Sequence, residues 1–410
     1  MAVRPMEQDG LLSGIRVIDL TRALSGPFCT MLLGDQGAEV IKIERPGRGD
    51  DSRTQSNPLL GSENTAFLSV NRNKKSVVVD LRRPEGARLV QRLAATADVF
   101  VENFRPGKAD ELGLGWQELS AVNPRLVYCS ISGWGADGPS AHKPGYATTA
   151  EAMGGLMSVT GERDGPPMKI GVSLVDSITG LFAKDAITAA LYARERHGLG
   201  QKIETSLLES TVATLSMTAY AYLMAGVVAG LLGSEHAFIV PWKTFATSDG
   251  YLVVAAGNEA QWRALCRAID RPDLADDARF RTMPLREKHR VELYALLDEV
   301  FVKRATDVWI AALDGAGTAT AKVQSMDEVF ADPQVLHRDM LLSVRHPTLG
   351  DIPQVGHAQK FSGNPAQIRS APPLLGEHTF EVLGEVLGCT TDQLRSWAED
   401  GVIATTGASS

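Results

Sequence analysis

Chemistry in this sequence can rest on one carboxylate, a cluster of arginines and a pair of glycines. The carboxylate is Asp176, in the run Gly171-Val-Ser-Leu-Val-Asp-Ser-Ile-Thr-Gly180. An irregular stretch ends there and an apolar helix begins, so Asp176 is expected beside the positive end of the helix dipole. Backbone N–H groups of a first turn can hold such a carboxylate ionised. Facing a pocket and partly desolvated, it can act as a nucleophile; the bland reading of the same position is a helix N-cap. The arginines are Arg45, Arg48 and Arg53 in KIERPGRGDDSR, at the end of an expected strand. Guanidinium groups there can hold phosphate or carboxylate, while the interleaved Asp50 and Asp51 argue equally for self-paired surface charge. Arg72, Lys74 and Lys75 in VNRNKKS read as a solvated turn. Gly154 and Gly155, with Gly161 beyond them, let the backbone approach a ligand closely or simply turn.

Several common chemistries are excluded. No P-loop occurs, and H-E-x-x-H and G-x-S-x-G are absent. The histidines are scattered, and Cys29, Cys129, Cys266 and Cys389 lie far apart. No resident metal and no disulfide framework is therefore expected, and a reducing cytoplasm fits.

The elements that must position these residues alternate. Ile15–Leu20, Glu39–Glu44, Ser76–Leu81, Asp98–Glu102 and Leu126–Ile131 read as strands. Helices are expected from Pro27 to about Gln36 and from Pro84 to about Ala95, with proline suited to a first turn. Such alternation predicts an α/β fold with a parallel sheet covered on both faces. Ligands then bind at the carboxyl ends of the strands. The loops to watch are Thr21–Pro27, Arg45–Arg53, Asn103–Lys108 and Ser132–Ala147. A helix through Ile178, Leu181, Phe182, Ile187 and Leu191 is expected to stop at Gly198. Residues from Glu204 to about Leu232 read as helical, the apolar part from Met217 as a buried helix too short to span a bilayer. Strands within Phe238–Ala256 and helices after Gln261 predict a smaller α+β domain.

The chain has 410 residues, 44% hydrophobic and 22% charged, ordinary for a globular protein. A chain of this length buries roughly 75% of its unfolded surface. The boundaries drawn are 1–224 with 326–410 for a discontinuous large domain and 225–325 for a small one. Net charge is −8, which argues against nucleic acid as partner but not against a local basic pocket. MAVRPMEQDG lacks the apolar core of a signal peptide, and no membrane partner is expected.

In this order, the segments resemble the family III CoA-transferases from about residue 11 to about 390. The likeness is carried by LLSGIRVIDLTRALSGPFCTMLLGDQGAEVIKIERPGRGDD, VNRNKKSVVVDL, ADVFVENFRPG, LVYCSISGWGADGP, GGLMSVTG and VDSITG. DGYLVVAAGNEAQW, DPQVLHRDML, HPTLGDI and PPLLGEHT extend it. RPGRGDDSRT, SVNRNKKS and FADPQVLH are most similar to the succinyl-CoA:dicarboxylate branch, which includes the succinate–hydroxymethylglutarate (glutarate) enzymes. The resemblance implies a Rossmann-like large domain, an inserted small domain and an interlocked homodimer of ring-shaped subunits.

It also implies a transferase that moves CoA from succinyl-CoA to a small dicarboxylic acid. Asp176 falls at the family's nucleophile and passes through an aspartyl anhydride and an aspartyl–CoA thioester. No tightly bound cofactor is implied, since CoA is substrate. Its contacts map onto Leu24, Ser25, Arg45, Val79, Asp80, Leu81, Arg82, Asn103, Phe104, Arg105 and Tyr146. Arg22 and Arg53 are expected partners for a substrate's second carboxylate. Gly154 and Gly155, or the loop at Gly257-Asn258, are expected to shield the intermediates from water. The chain departs from the family at Ala147, where an acidic residue is usual, at Leu24, where formyl-CoA-specific members have glutamine, at Glu111 and in GAGTATAKV. One rival reading is an acyl-CoA racemase, whose histidine would fall at Tyr146. The other is a CoA-binding homologue without activity.

Overall fold

The computed structural model describes residues 10–405, so residues 1–9 of the leader-free N-terminal reading lie outside it. Short β-branched runs form the parallel strands β1 (Arg16–Asp19), β2 (Glu39–Glu44), β3 (Lys74–Val79), β4 (Val99–Glu102) and β5 (Val127–Ser132). A sixth, β6 (Gln201–Ser206), occupies the edge. The sheet runs β3-β2-β1-β4-β5-β6, and a short strand Ile403–Ala404 pairs antiparallel outside β3. β6 corrects the helical reading of residues from Glu204. It pairs only with β5, and its exposed Gln201, Lys202 and Glu204 hide the apolar alternation of an inner strand.

Successive strand residues serve opposite faces. Val17, Val40, Val99, Val101 and Val127 pack with α1 (Ser25–Asp35) and the long helix Leu174–His197. Ile18, Ile41, Val77 and Phe100 pack with α2 (Pro84–Ala95) and with Val382, Leu383 and Leu394 near the C-terminus. Two-sided burial explains the nearly continuous apolar runs. Between β5 and the long helix lies the short α3 (Ala147–Met153); the long helix is α4. Gly198 ends α4 in the left-handed conformation at φ 82°, where glycine carries no Cβ penalty.

The charged run VNRNKKS is not a solvated turn. Arg72 and Lys74 are buried. Arg72 donates to Asp35 through Nε (3.0 Å) and Nη2 (2.7 Å). The Lys74 ammonium reaches Asp19 at 3.1 Å and the Pro27 carbonyl at 2.9 Å. Lys75 alone stays half-exposed, paired with Glu39 and Glu381. The acids that match these cations come from distant segments, so they cannot be read beside the run itself.

The chain divides into two compact units. The first holds residues up to Leu156, Ile170–Ser216 and the chain from Gln334 onward; the second holds Met157–Lys169 and Met217–Pro333. The dividing points thus lie at 216/217 and 333/334, away from 224/225 and 325/326. Residues 157–169 join the second unit because Gly233 donates to the Gly161 carbonyl (2.8 Å) and Arg163 pairs with Glu235 (2.7 Å). In that unit an antiparallel sheet, Trp242–Ala246, Tyr251–Ala255 and Ala319–Lys322, covers a core with Trp262, Leu297, Phe301 and Trp309. The helix Ser216–Ala225 has no buried residue. Met217, Leu223 and Met224 are 65%, 73% and 79% exposed, which corrects the reading of this stretch as buried. Among the described residues no helix is long and apolar enough to cross a membrane.

The Arg72–Asp35 fork gives a stability prediction. Burial pushes the Asp35 carboxyl upward, but hydrogen bonds from His357 and Arg72 hold it below its ordinary range. Arg72→Ala should lower stability by about 3 kcal/mol, because removing one partner strands a buried charge. Arg345→Ala, whose pair with Asp351 is exposed on both sides, should leave the urea midpoint unchanged.

Candidate functional site

The first three parallel strands run outward from β1 in one direction, and β4, β5 and β6 run outward in the other. Loops leaving β1 and β4 therefore diverge, and a crevice opens at that switch point. Two cavities lie there. One, of about 440 Å3, is lined by Arg22, Arg45, Arg48, Phe104 and the segment Val79, Asp80, Leu81 and Arg82, with others. The second, of about 490 Å3, is lined by Arg22, Leu24, Ser25, Asn103, Phe104, Arg105, Tyr146 and Asp176, with others. Arg22 and Phe104 border both. Each loop singled out from the strand ends contributes to one cavity or the other.

The crevice is tied across its width. The Asn103 amide accepts from the Arg22 N–H (2.9 Å) and donates to the Arg22 carbonyl (2.8 Å). Its side chain is thus spent on the backbone of the opposite loop. The Arg22 guanidinium stands 5.7 Å from the Phe104 ring centroid, within cation–π range.

Asp176 sits in the first turn of α4, behind the N-cap Ser173, so it is not itself the cap. Its partner is a side chain: the Ser25 hydroxyl donates to Oδ1 at 2.6 Å. Ser25 is the first residue of α1. Burial pushes the Asp176 carboxyl above its ordinary range, the Ser25 hydrogen bond pulls it back, and the Glu151 charge pushes it up again. The balance is set by desolvation, the Ser25 hydroxyl and the Glu151 charge rather than by the helix N–H groups expected to hold the carboxylate ionised. Glu151, on α3, is buried and accepts from the Ile170 N–H at 3.2 Å. It was not singled out from sequence. An acidic residue one turn beyond Ala147 was the available signal.

The arginines separate into two kinds. Arg45 and Arg22 share Asp51 as partner, Arg22 at 3.4 Å, and both ion pairs are exposed. Arg82 is 86% exposed and paired with Asp80. Arg53 lines neither cavity. It forks onto Glu44 (both contacts 2.8 Å), donates to the Pro373 carbonyl and lies 3.5 Å from the Phe67 ring centroid. Its expected role with a substrate carboxylate is corrected accordingly: the guanidinium is consumed inside the fold. Gly154 and Gly155 also lie outside the cavities. Gly154 closes α3, with Thr211 filling the space its side chain would need. Asn258 caps the helix Glu259–Ala268 and Gly257 donates to the Gln261 side chain. Sequence reasoning did not single out Lys143, Ser132 and Ser173, which line the second cavity.

Gly180, one turn beyond Asp176, sets the α1–α4 approach. A Cβ there would stand 2.5 Å from the Ser25 carbonyl oxygen and 3.3 Å from the Cys29 nitrogen. Gly180→Ala should force the helices apart, lengthen the Ser25–Asp176 contact and lower turnover by about 10²-fold, the scale of a 1 Å misplacement. Gly171→Ala, with nothing within 4 Å, should leave turnover and melting temperature unchanged.

Comparison with known proteins gives the family. Residues 12–379 match CoA-transferase family III. The chain is 45% identical over 392 residues to the succinyl-CoA:glutarate CoA-transferase of Mus musculus, covering 96% of this chain and 90% of that protein. It is 39% identical to the succinate–glutarate CoA-transferase of Agrobacterium fabrum, over 92% and 95% of the two chains. A CAIB/BAIF family protein from Brucella suis superposes with a TM-score of 0.84 at 38% identity, covering 92% of this chain and all of that one. With that extent of likeness, the chain belongs to CoA-transferase family III and is a CoA-transferase.

Proposed function

We propose that this enzyme moves CoA from succinyl-CoA to a dicarboxylic acid such as glutarate, with Asp176 as nucleophile. The observation that carries the reading is a partly desolvated carboxylate, fixed by a serine hydroxyl at 2.6 Å, in a cavity adjoining one rimmed with arginines. The names of the similar enzymes support the donor and the acceptor class.

In this reading the CoA nucleotide and phosphates lie against Arg45, Arg82 and the Val79–Leu81 backbone. The pantetheine passes Asn103, Phe104 and Arg105 toward Leu24, Ser25 and Tyr146. Arg22 is placed to meet the acceptor's second carboxylate. CoA is substrate here, and no tightly bound cofactor is invoked.

The ionised Asp176 oxygen attacks the thioester carbonyl; the C–S bond breaks and the pair leaves on CoA thiolate, giving a mixed anhydride. Thiolate then attacks the aspartyl carbonyl and expels succinate, giving an aspartyl–CoA thioester. The acceptor carboxylate attacks that carbonyl and releases thiolate, which finally attacks the acceptor acyl carbon and frees Asp176. Covalent catalysis replaces one difficult exchange with several easier steps. Every intermediate is hydrolysable, so water has to be kept out.

A homodimer of interlocked subunits belongs to the same proposal. Its support is the exposed apolar helix Ser216–Ala225, with Met217, Leu223 and Met224 in solvent; contiguous exposed apolar residues mark an interaction surface. Four free cysteines support a reducing compartment, and we assign the reaction to the cytoplasmic CoA pool.

The chemical test is trapping. Succinyl-CoA followed by hydroxylamine should convert Asp176 to a hydroxamate detectable by mass, and glutarate added instead should yield glutaryl-CoA. Asp176→Ala should abolish both. Label on another residue, or α-proton exchange in D2O without transfer, would reject the reading.

The pH dependence follows from the groups around Asp176. The nucleophile has to be ionised, so kcat/KM should fall as pH drops through its raised pKa. Ser25→Ala removes the hydrogen bond that holds this pKa down. The acid limb should then move to higher pH, read from a kcat/KM profile.

A further inference from the structure

We propose that Asp50 is a positioning residue for the Ser25–Asp176 contact, acting through the backbone of Ala23; this rests on the reading of Asp176 as nucleophile. Ala23 is held at φ 67°, in the left-handed region that a residue with a Cβ seldom enters. Two residues later α1 begins at Ser25. The direction in which the chain leaves Ala23 therefore decides where the Ser25 hydroxyl points. A conformation of that kind persists only where its surroundings over-determine it.

Asp50 supplies those surroundings. Its Oδ1 accepts from the Ala23 N–H at 3.0 Å. The same oxygen accepts from the Ser52 N–H and Ser52 hydroxyl, each at 2.8 Å. Its Oδ2 is ion-paired with the Lys42 ammonium at 2.8 Å, and neither side chain has exposed surface. Lys42 in turn donates to the Thr21 carbonyl at 2.8 Å. The pair thus grips the loop after β1 on both sides of Arg22, at the Thr21 carbonyl and the Ala23 N–H. Because the Asp50 carboxylate exposes nothing to the cavity it borders, it touches no substrate and works through the loop.

A double-substitution cycle on the full-length enzyme tests this. Asp50→Ala, Asp50→Asn, Ser25→Ala and the two Asp50 and Ser25 combinations are compared for the single-turnover rate of acyl transfer to Asp176, the KM for succinyl-CoA, and melting temperature. Asp50→Ala should slow acylation by about 10- to 100-fold and change KM by less than about threefold. Asp50→Asn, which keeps an oxygen for the Ala23 N–H, should recover part of the loss. Adding Ser25→Ala to either should cost nothing further, since coupled residues are not additive. If Asp50→Ala does not fold, the Asp50→Asn cycle decides the same question. Multiplying effects, a rise in KM with acylation unchanged, or an unaltered acylation rate in Ser25→Ala would each overturn the proposal while Asp176 still takes the label. Wild-type enzyme that never labels Asp176 would instead overturn the nucleophile reading.

Discussion

Two lysines without exposed surface hold the upper end of the sheet together. Lys74 reaches Asp19 (3.1 Å), the Pro27 carbonyl (2.9 Å) and Asn71 (2.9 Å); Lys42 reaches Asp50 (2.8 Å) and the Thr21 carbonyl (2.8 Å). Asp19 also accepts from Thr21 and Thr30. Burial would raise the Asp19 carboxyl, yet the charges of Lys74 and Lys42 with these hydroxyls hold it well below the usual carboxylate range. The same burial lowers the Lys74 ammonium to about 8. Buried ions are tolerated only when their partners are complete. Here completeness requires the loops after β1 and β2 to adopt one arrangement, and those loops carry Arg22 and Arg45 and lead into Ser25 at the start of α1. The net stabilisation from such a network is small; its consequence is a single geometry for the crevice.

A net charge of −8 sits easily with an anionic substrate because the rim handles charge locally. Asp51 is shared by Arg22 and Arg45, and Asp80 takes Arg82, in pairs that are half-exposed at Arg22 and Arg45 and exposed at Arg82. Solvated pairs contribute little, so these arginines exchange partners at small cost. Arg53 and Arg72 contrast with them. Their acids, Glu44 and Asp35, are almost fully buried, and they belong to the framework.

The sequence was most legible where one segment carries its own instructions. Glu39–Glu44 and Pro84–Ala95 are the strand and helix expected, because β-branched alternation and an N-terminal proline are local signals. Carboxyl-end loops of a parallel sheet led to both cavities without any motif. What stayed hidden depends on distant partners. VNRNKKS reads as solvated until Asp19 and Asp35 are folded over it. Arg53 reads as a ligand group until Glu44 and Phe67 enclose it. The end of the edge strand, from Glu204, reads as helix because an edge strand needs little apolar alternation. The exposed apolar helix Ser216–Ala225 reads as core because apolar composition alone does not separate a buried helix from an exposed one.

Asp176 shows why its neighbourhood takes this form. A carboxylate in water is a weak nucleophile, sheltered by hydration. Removing that water makes it more reactive but favours its protonated form. Burial and Glu151 press Asp176 toward protonation, and the Ser25 hydroxyl presses the other way. The hydroxyl does so with one short bond, leaving Oδ2 without a hydrogen-bond partner among the described residues. For the proposed nucleophile, a charged partner such as lysine would secure ionisation more firmly but would also bind its oxygen more tightly in the ground state. In the proposed reaction a neutral donor at fixed distance opposes protonation and orients the group while leaving its reactivity, a distance set by the close approach at Gly180 and, in the inference drawn above, by the loop that Asp50 grips.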